Sequence, residues 1–306
     1  MDRRRFLKWQ MQGLLALGAS GPLFGLARSA LADVRPDIAV AKGSPAAAAR
    51  AAVDLLGGMG RFVKAGDKVV IKPNMSFARS PEEAANTHPD VVREVLVLCK
   101  EAGAGQVRVL DHSLMDPERS LELSGIRAAC DGVEEGICRH LMAESFYREA
   151  DIMSAAEMHS NAFMRDVLEA DVIIAVPVAK SHGGAGVSLS LKGQMGLIYD
   201  RRSMHSRYSL DASIVDLNGL IRPHLAVIDA TRVLSTNGPN GPGTVLTPGE
   251  VIASADPVAA DATAVASYEW YGRMMQPRQV AHIRLAHERG LGRMDIENLV
   301  TRRVEA

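Results

Sequence analysis

Three stretches of this chain are apolar without interruption yet too short for helices: Val69–Ile71, Val172–Val176 and Leu225–Ile228. A strand with one face in water alternates apolar and polar residues. A strand that is apolar throughout is covered on both faces, and that arrangement belongs to parallel sheets flanked by helices. Helical spacing fills the intervals, as in VVREVLVLCKEAG (91–103) and in Leu210, Ile214, Leu217 and Ile221. The alternation of strands with helices predicts an α/β fold with a largely parallel sheet covered on both faces. Aromatic residues are only 4% of the chain, so the core has to be aliphatic.

The expected elements follow from these runs and from the helix and turn signals around them. Strands are predicted over 37–43, 68–71, 106–113, 171–178, 224–234 and 250–256. Lys72-Pro73-Asn74 should leave its strand abruptly, because proline cannot continue a central ladder. Helices are predicted from Pro45 to about Met59, from Pro89 to Gly103, from Pro117 to Cys130, from Pro257 into SYEWYG, and from Gln276 to Arg289. Segment 131–165 carries no clear pattern, and the last few residues fall outside the expected elements. Residues 33–306 read as a single α/β domain, with 165–180 the place where two lobes around a central cleft would divide.

The N-terminus is a separate object. Arg3, Arg4, Phe6, Leu7 and Lys8 fit R-R-x-F-L-K, the twin-arginine export pattern, and Met11–Leu26 is mildly apolar. Ala30-Leu31-Ala32 supplies an A-x-A cleavage site. The bland alternative is a buried amphipathic helix that happens to carry three arginines. The leader reading makes residues 1–32 a signal peptide, the product an exported or periplasmic protein, and the twin-arginine translocase its transient partner. Four Arg, one Lys and one Asp leave with residues 1–32, which takes the formal net charge from −1 to −5. Neither value suits a nucleic-acid-binding protein. No apolar run reaches the roughly 20 residues of a bilayer span, so no stable membrane anchor is expected. Free ATP is not expected outside the cytoplasm.

Cys99 lies in a helical apolar pattern and reads as a core thiol, whereas Cys130 and Cys138 could pair in an oxidising compartment. The absence of any C-x-x-C argues against an iron–sulfur cluster.

In open α/β sheets ligands sit beyond the carboxyl ends of the strands. Polar groups gather at those exits here: Lys72 and Asn74, Asp111 and His112, Lys180 and His182, Asp229 and Thr231, and Asp256. Polar loops are ordinary, but five consecutive exits of this kind predict a polar cleft. Lys72, Lys180 and Lys192 would bring ammonium groups together, and their repulsion demands either lowered pKa values or an anion. Backbone amides of Gly183, Gly184 and Gly186 could help hold that anion. The loop is no nucleotide P-loop, since G-x-x-x-x-G-K-[ST] is absent. A divalent metal held by His182, His205 and Asp111 is chemically sensible, though no local ligand spacing supports it.

VVIKPNM, THPDVVREV, AKSHGGAGVSLSLKGQMGLI, DLNGLIRPHLAVIDAT, NGPNGPG and VIASADPVAADA together resemble the "domain of unknown function 362" family, from about Val69 to Ala262. Lys180, His182, Lys192 and Gly196 fit that family's K-x-H and L-K-N-x-x-G patterns, with Gly193 where asparagine is usual. Many relatives carry a ferredoxin-like cysteine segment that this chain lacks, so the resemblance does not extend to iron–sulfur binding. A more distant likeness is to the amino-terminal part of nickel-pincer lactate racemases.

The residues therefore predict a cleft for a small anionic molecule, with Lys180, His182 and Lys192 as catalytic candidates. Lys72, Asn74, Gly183, Gly184, Gly186, Asp229 and Asp256 are the ligand-binding candidates around them. Proton transfer near a carboxylate would suit a Lys/His pair. A non-catalytic cofactor carrier or maturation partner of an exported redox system stands as the alternative, so whether the protein is an enzyme stays open.

Overall fold

The computed structural model describes residues 35–306, of which Pro36–Ala306 form one compact unit. The leader read at residues 1–32 lies outside the described residues.

The chain runs β1 (Ile38–Lys42), α1 (Pro45–Leu55), β2 (Lys68–Pro73), α2 (Pro89–Glu101), β3 (Gln106–Asp111), α3 (Pro117–Ser124), α4 (Ile126–Asp131) and β4 (Cys138–His140). A hairpin of β5 (Tyr147–Asp151) and β6 (Ser160–Met164), then the short α5 (Arg165–Leu168), leads to β7 (Val172–Val176) and β8 (Val178–His182). Next come β9 (Gly186–Ser188), α6 (Ser190–Gly193), α7 (Arg202–Ser206), α8 (Leu210–Leu220) and β10 (Leu225–Leu234). The remainder is β11 (Val245–Leu246), β12 (Glu250–Ser254), α9 (Pro257–Ser267), a small hairpin of β13 (Glu269–Trp270) and β14 (Arg273–Met274), α10 (Ala281–Glu288) and β15 (Thr301–Glu305).

The main sheet has the order β15-β1-β12-β10-β7-β2-β3-β4. It is mixed but largely parallel: β12 alone runs antiparallel to its neighbours β1 and β10 in that order. Alternate residues of the apolar strands feed two separate cores. Val69, Ile71, Ile174 and Val227 pack with α1 and α2 on one face, and Val70, Ile173, Ala226 and Ile228 pack with α8, α9 and α10 on the other. Each fully buried Val, Leu or Ile contributes about 1.5–3 kcal/mol, so these uninterrupted runs are a substantial part of the fold's stability.

Several expectations need correction. The strand read over 171–178 is two strands, broken at Pro177; β10 pairs with β7 through its first residues and with β8 beyond the break. Pro73 ends β2 inside the sheet rather than outside it, because the ladder to β3 stops at Ile71 and the missing N–H lies past the doubly paired stretch. The helix expected over 117–130 is two helices, split at Gly125, whose φ of 70° is left-handed. The unreadable 131–165 holds a strand and a hairpin. The last residues are not outside the fold: β15 pairs in parallel with β1 at the sheet edge, and its charged sequence TRRVE hid it. Cys99, Cys130 and Cys138 are all buried free thiols.

Candidate functional site

The parallel strands end together above one face of the molecule, and a cavity of about 100 Å³ opens there. Lys72 and Asn74 arrive from the end of β2, Asp111 from the end of β3, Lys180 and His182 from β8, and Lys192 from α6. His205 on α7 lines the same cavity, with Ser76, Phe77, Leu114, Met195 and Pro239. Most of the predicted charged groups are thus brought together.

Each cation is held differently. Lys72 Nζ lies 3.2 Å from Asp111 Oδ1, both side chains being buried, and also donates to the carbonyl of Pro73. Burial would raise the Asp111 carboxyl, but the charges of Lys72, His140 and Arg201 and the Ser76 hydroxyl hold it below its ordinary value. Burial lowers the Lys72 ammonium, with Asp111 opposing. The carboxylate also accepts from Ser76 Oγ (2.8 Å), Met75 N (3.2 Å) and His112 N (2.9 Å). The pair closes against Gly196: a Cβ there would lie 2.0 Å from Asp111 Oδ1 and 2.5 Å from Lys72 Cε.

Lys180 donates to the carbonyl of Ala85 (2.6 Å) and sits 4.7 Å from the centre of the Phe77 ring. Its pKa falls to about 7, through burial first and then the neighbouring Lys192. Lys192 is only 8% exposed, and among the described residues the one hydrogen-bond partner of its Nζ is Met195 Sδ at 3.5 Å. Its pKa falls to about 8, through burial and then Arg201. Its helix is anchored by Asp261 of α9, which accepts from Ser190 N (2.8 Å) and Leu191 N (3.0 Å). Burial pushes that carboxyl up to about 7 against the pull of those amides.

Arg201 was not foreseen. It lines the cavity as a fourth cation and donates to the carbonyls of His112 (2.9 Å) and Ser113 (3.1 Å), which fixes the guanidinium in place. It follows no strand, so a search of strand exits passes over it. Its position between Lys192 and His205 in the chain was the available signal.

His182 has a different role from the one expected. Gly184 N and Ala185 N both donate to its Nδ1, at 3.1 and 3.2 Å. A nitrogen that accepts N–H bonds carries no proton, so Nε2 is the protonated nitrogen of the neutral ring. Burial, then Lys192 and His205, lower the ring's pKa to about 3. Neutral and with its lone pair occupied, His182 can donate a hydrogen bond but is poorly suited to accept a proton or bind a metal. The amide of Gly184, offered above to an anion, is spent on this ring.

The proposed metal set does not fit. His182 has no available lone pair, Asp111 is surrounded by Lys72 and three hydrogen-bond donors, and His205 stacks on His182 at 6.4 Å between ring centres. Among the described residues, no group of three or more His, Cys, Asp or Glu is arranged to hold a metal ion.

Gly183, Gly184, Gly186, Asp229 and Asp256 do not line the cavity. Asp229 lies inside β10 rather than beyond it; it pairs with Arg232 (2.7 Å) and accepts from His88 N (2.8 Å) at the start of α2. Asp256 caps α9 through Val258 N and Ala259 N and also accepts from Arg293 N. Asn74 lines the cavity, but its Oδ1 accepts from Val178 N (3.0 Å), tying β2 to β8 across the Pro177 break. The 236–243 loop forms part of the rim through Pro239, and Gly238 N donates to Ser181 Oγ (2.9 Å). A Cβ on Gly238 would lie 2.0 Å from the Ser181 carbonyl oxygen. Asn237 closes the same loop by donating to the carbonyl of Pro242 (2.7 Å).

Residues 69–266 match the family described as "Domain of unknown function (DUF362)". A Synechocystis sp. protein described as "Thylakoid-associated protein sll1697" is 28% identical over 205 residues, which is 64% of this chain and 62% of that protein. The chain thus spans less than two-thirds of that relative's length. Two solved structures align at low scores. The lactate racemase apoprotein from Thermoanaerobacterium thermosaccharolyticum has a TM-score of 0.41 and 13% identity over 63% of this chain and 51% of that one. A structural-genomics protein from Thermotoga maritima has a TM-score of 0.39 and 14% identity over 61% of this chain and 51% of that one.

Proposed function

The chain belongs to the DUF362 family, and from that premise we propose that it binds a small anionic molecule in the cavity and moves a proton next to that molecule's carboxylate. The observation that carries this reading is a charge imbalance in a buried space. Lys72, Lys180, Lys192 and Arg201 line the cavity, and Asp111, paired with Lys72, is the only carboxylate among the described residues lining it. Unpaired buried cations are costly, and a bound anion removes much of that cost. The Nε2–H of His182 adds a neutral donor. Lys180, with a pKa of about 7, is the better proton carrier of the Lys/His pair.

Replacing Lys192 by Met tests the reading. Wild-type protein should gain about 2.7 kcal/mol of stability at an oxalate concentration 100-fold above its Kd. Lys192→Met should keep the fold and lose at least about tenfold in oxalate affinity, or roughly 1.4 kcal/mol, by calorimetry. Equal affinity in the variant removes the proposal.

The pH dependence has opposite signs with and without anion. Lys180 and Lys192 drop from an ordinary 10.5 to about 7 and about 8 in the folded protein. Between those values and 10.5 the unfolded chain holds protons that the folded chain has shed. The contribution of these two groups to the stability of the anion-free protein therefore rises with pH across that window. Oxalate affinity should instead fall as pH passes 7 and then 8, because both amines lose charge. A flat affinity profile from pH 6 to 9 would contradict this.

We place the mature protein outside the cytoplasm on the strength of Arg3, Arg4, Phe6, Leu7 and Lys8. Fractionation of cells expressing an Arg3→Lys, Arg4→Lys double variant should find the precursor retained in the cytoplasm. Unchanged export would refute the leader.

A further inference from the structure

We infer that Lys192 is a covalent amine, forming an imine with the carbonyl carbon of a 2-oxo acid whose carboxylate rests among the other cavity cations. This rests on the anion-binding reading and goes further by naming the substrate class.

The four cations are not equivalent. Lys72 is fixed by Asp111, Arg201 by two backbone carbonyls, and Lys180 by the Ala85 carbonyl and the Phe77 ring. Lys192 has only a thioether sulfur among the described residues, and thioethers are weak acceptors. An ammonium has three N–H groups to satisfy, and burying it with so little to bond is costly. A neutral amine in the same place needs much less and presents a lone pair. The lowered pKa of Lys192 agrees with this. A lysine desolvated beside other cations is an established way of making an amine nucleophilic near neutral pH. There is also room beside it: Gly193 lines the cavity, and a Cβ there would meet its nearest neighbour only at 3.9 Å.

A partner for this amine needs an electrophilic carbon and must also satisfy the remaining positive charge. A 2-oxo acid has a ketone directly bonded to a carboxylate and meets both needs in a compact molecule. The Lys192 nitrogen attacks the ketone carbon, and the carbonyl π electrons move to oxygen, which takes a proton. The nitrogen gives up a proton, the hydroxyl leaves as water after protonation, and a protonated imine remains. Amine, ketone and one proton from solvent become iminium and water, with no oxidant or reductant required. The new cation is formed beside the substrate's own carboxylate. It also acidifies the C–H bonds on C3, one carbon removed from the carboxylate, and with a 2-oxo acid the proposed proton transfer would act there.

The experiment uses the full chain with pyruvate, 2-oxoglutarate and phenylpyruvate, each with and without sodium borohydride, followed by intact mass and peptide mapping. Binding of the same acids and of oxalate is measured in parallel by calorimetry. The expected result is one reduced adduct, on the peptide carrying Lys192 and only with borohydride. Excess oxalate should suppress it. Lys192→Arg keeps the charge and should abolish the adduct while the protein stays folded by circular dichroism; Lys192→Met should also abolish it. Binding of any of the 2-oxo acids without an adduct, or an adduct that persists in Lys192→Arg, overturns the inference and leaves anion binding standing. Oxalate binding with none of the 2-oxo acids bound overturns the inference alone. Failure to bind oxalate and all three acids overturns both.

Discussion

Gly196→Ala should destabilise the protein by about 3 kcal/mol or more and abolish oxalate binding. The new methyl would sit 2.0 Å from Asp111 Oδ1, 2.5 Å from Lys72 Cε and 3.0 Å from Lys72 Nζ. The backbone cannot easily retreat, because the carbonyl of Gly196 accepts from His112 N (3.0 Å). Something must yield, and the nearest contacts belong to the buried ion pair. Forcing atoms into a packed interior costs about 1–3 kcal/mol, and parting a buried pair adds to that. Gly193→Ala is the matched control: it lines the same cavity, but its nearest neighbour would be 3.9 Å away. Urea titration should show a large loss of midpoint for the first variant and little change for the second. Equal midpoints would mean that the pair tolerates displacement.

Asp111→Asn should have an effect of similar size for a different reason. It keeps the side-chain shape but removes the one carboxylate that lines the cavity among the described residues, beside Lys72, Lys180, Lys192 and Arg201. Leaving a buried charge without its partner costs about 3–5 kcal/mol. The amide also offers N–H to a place where Lys72, Ser76 and two backbone amides already donate. Unlike the glycine variant, this one should be rescued in part by added oxalate, which restores negative charge to the cavity. Denaturant midpoints with and without oxalate distinguish the two variants. A stable Asp111→Asn protein insensitive to oxalate would mean that the cations are not in electrostatic debt.

Much of the fold was readable because burial on both faces leaves a mark in composition. Val69–Ile71, Val172–Val176 and Leu225–Ile228 are strands buried on both faces, chiefly against helices and neighbouring strands. The convergence of Lys72, Lys180 and Lys192 was readable for a related reason: a charge immediately after or within an apolar run must be satisfied by something nearby. What escaped depends on contacts made through space. Asp229 looked like a strand exit because nothing local shows that Arg232, three residues on, neutralises it inside β10. The proton on His182 is set by two amides in the following turn, and residue type cannot reveal which nitrogen they meet. Arg201 became a site residue only because two carbonyls beyond β3 hold it over the cavity. The break at Gly125 and the edge strand Thr301–Glu305 were missed because a glycine inside an amphipathic run and a charged strand both read as something else.

The 236–243 loop has kinetic meaning. Its glycines permit hinge motion and its prolines restrict it, and Gly238 is pressed against the Ser181 carbonyl and bonded to its hydroxyl, while Asn237 ties the far side of the loop to Pro242. These ties favour a rim held in place over a hinged gate at this loop. Capture of a guest should then not wait on a closing motion of this loop.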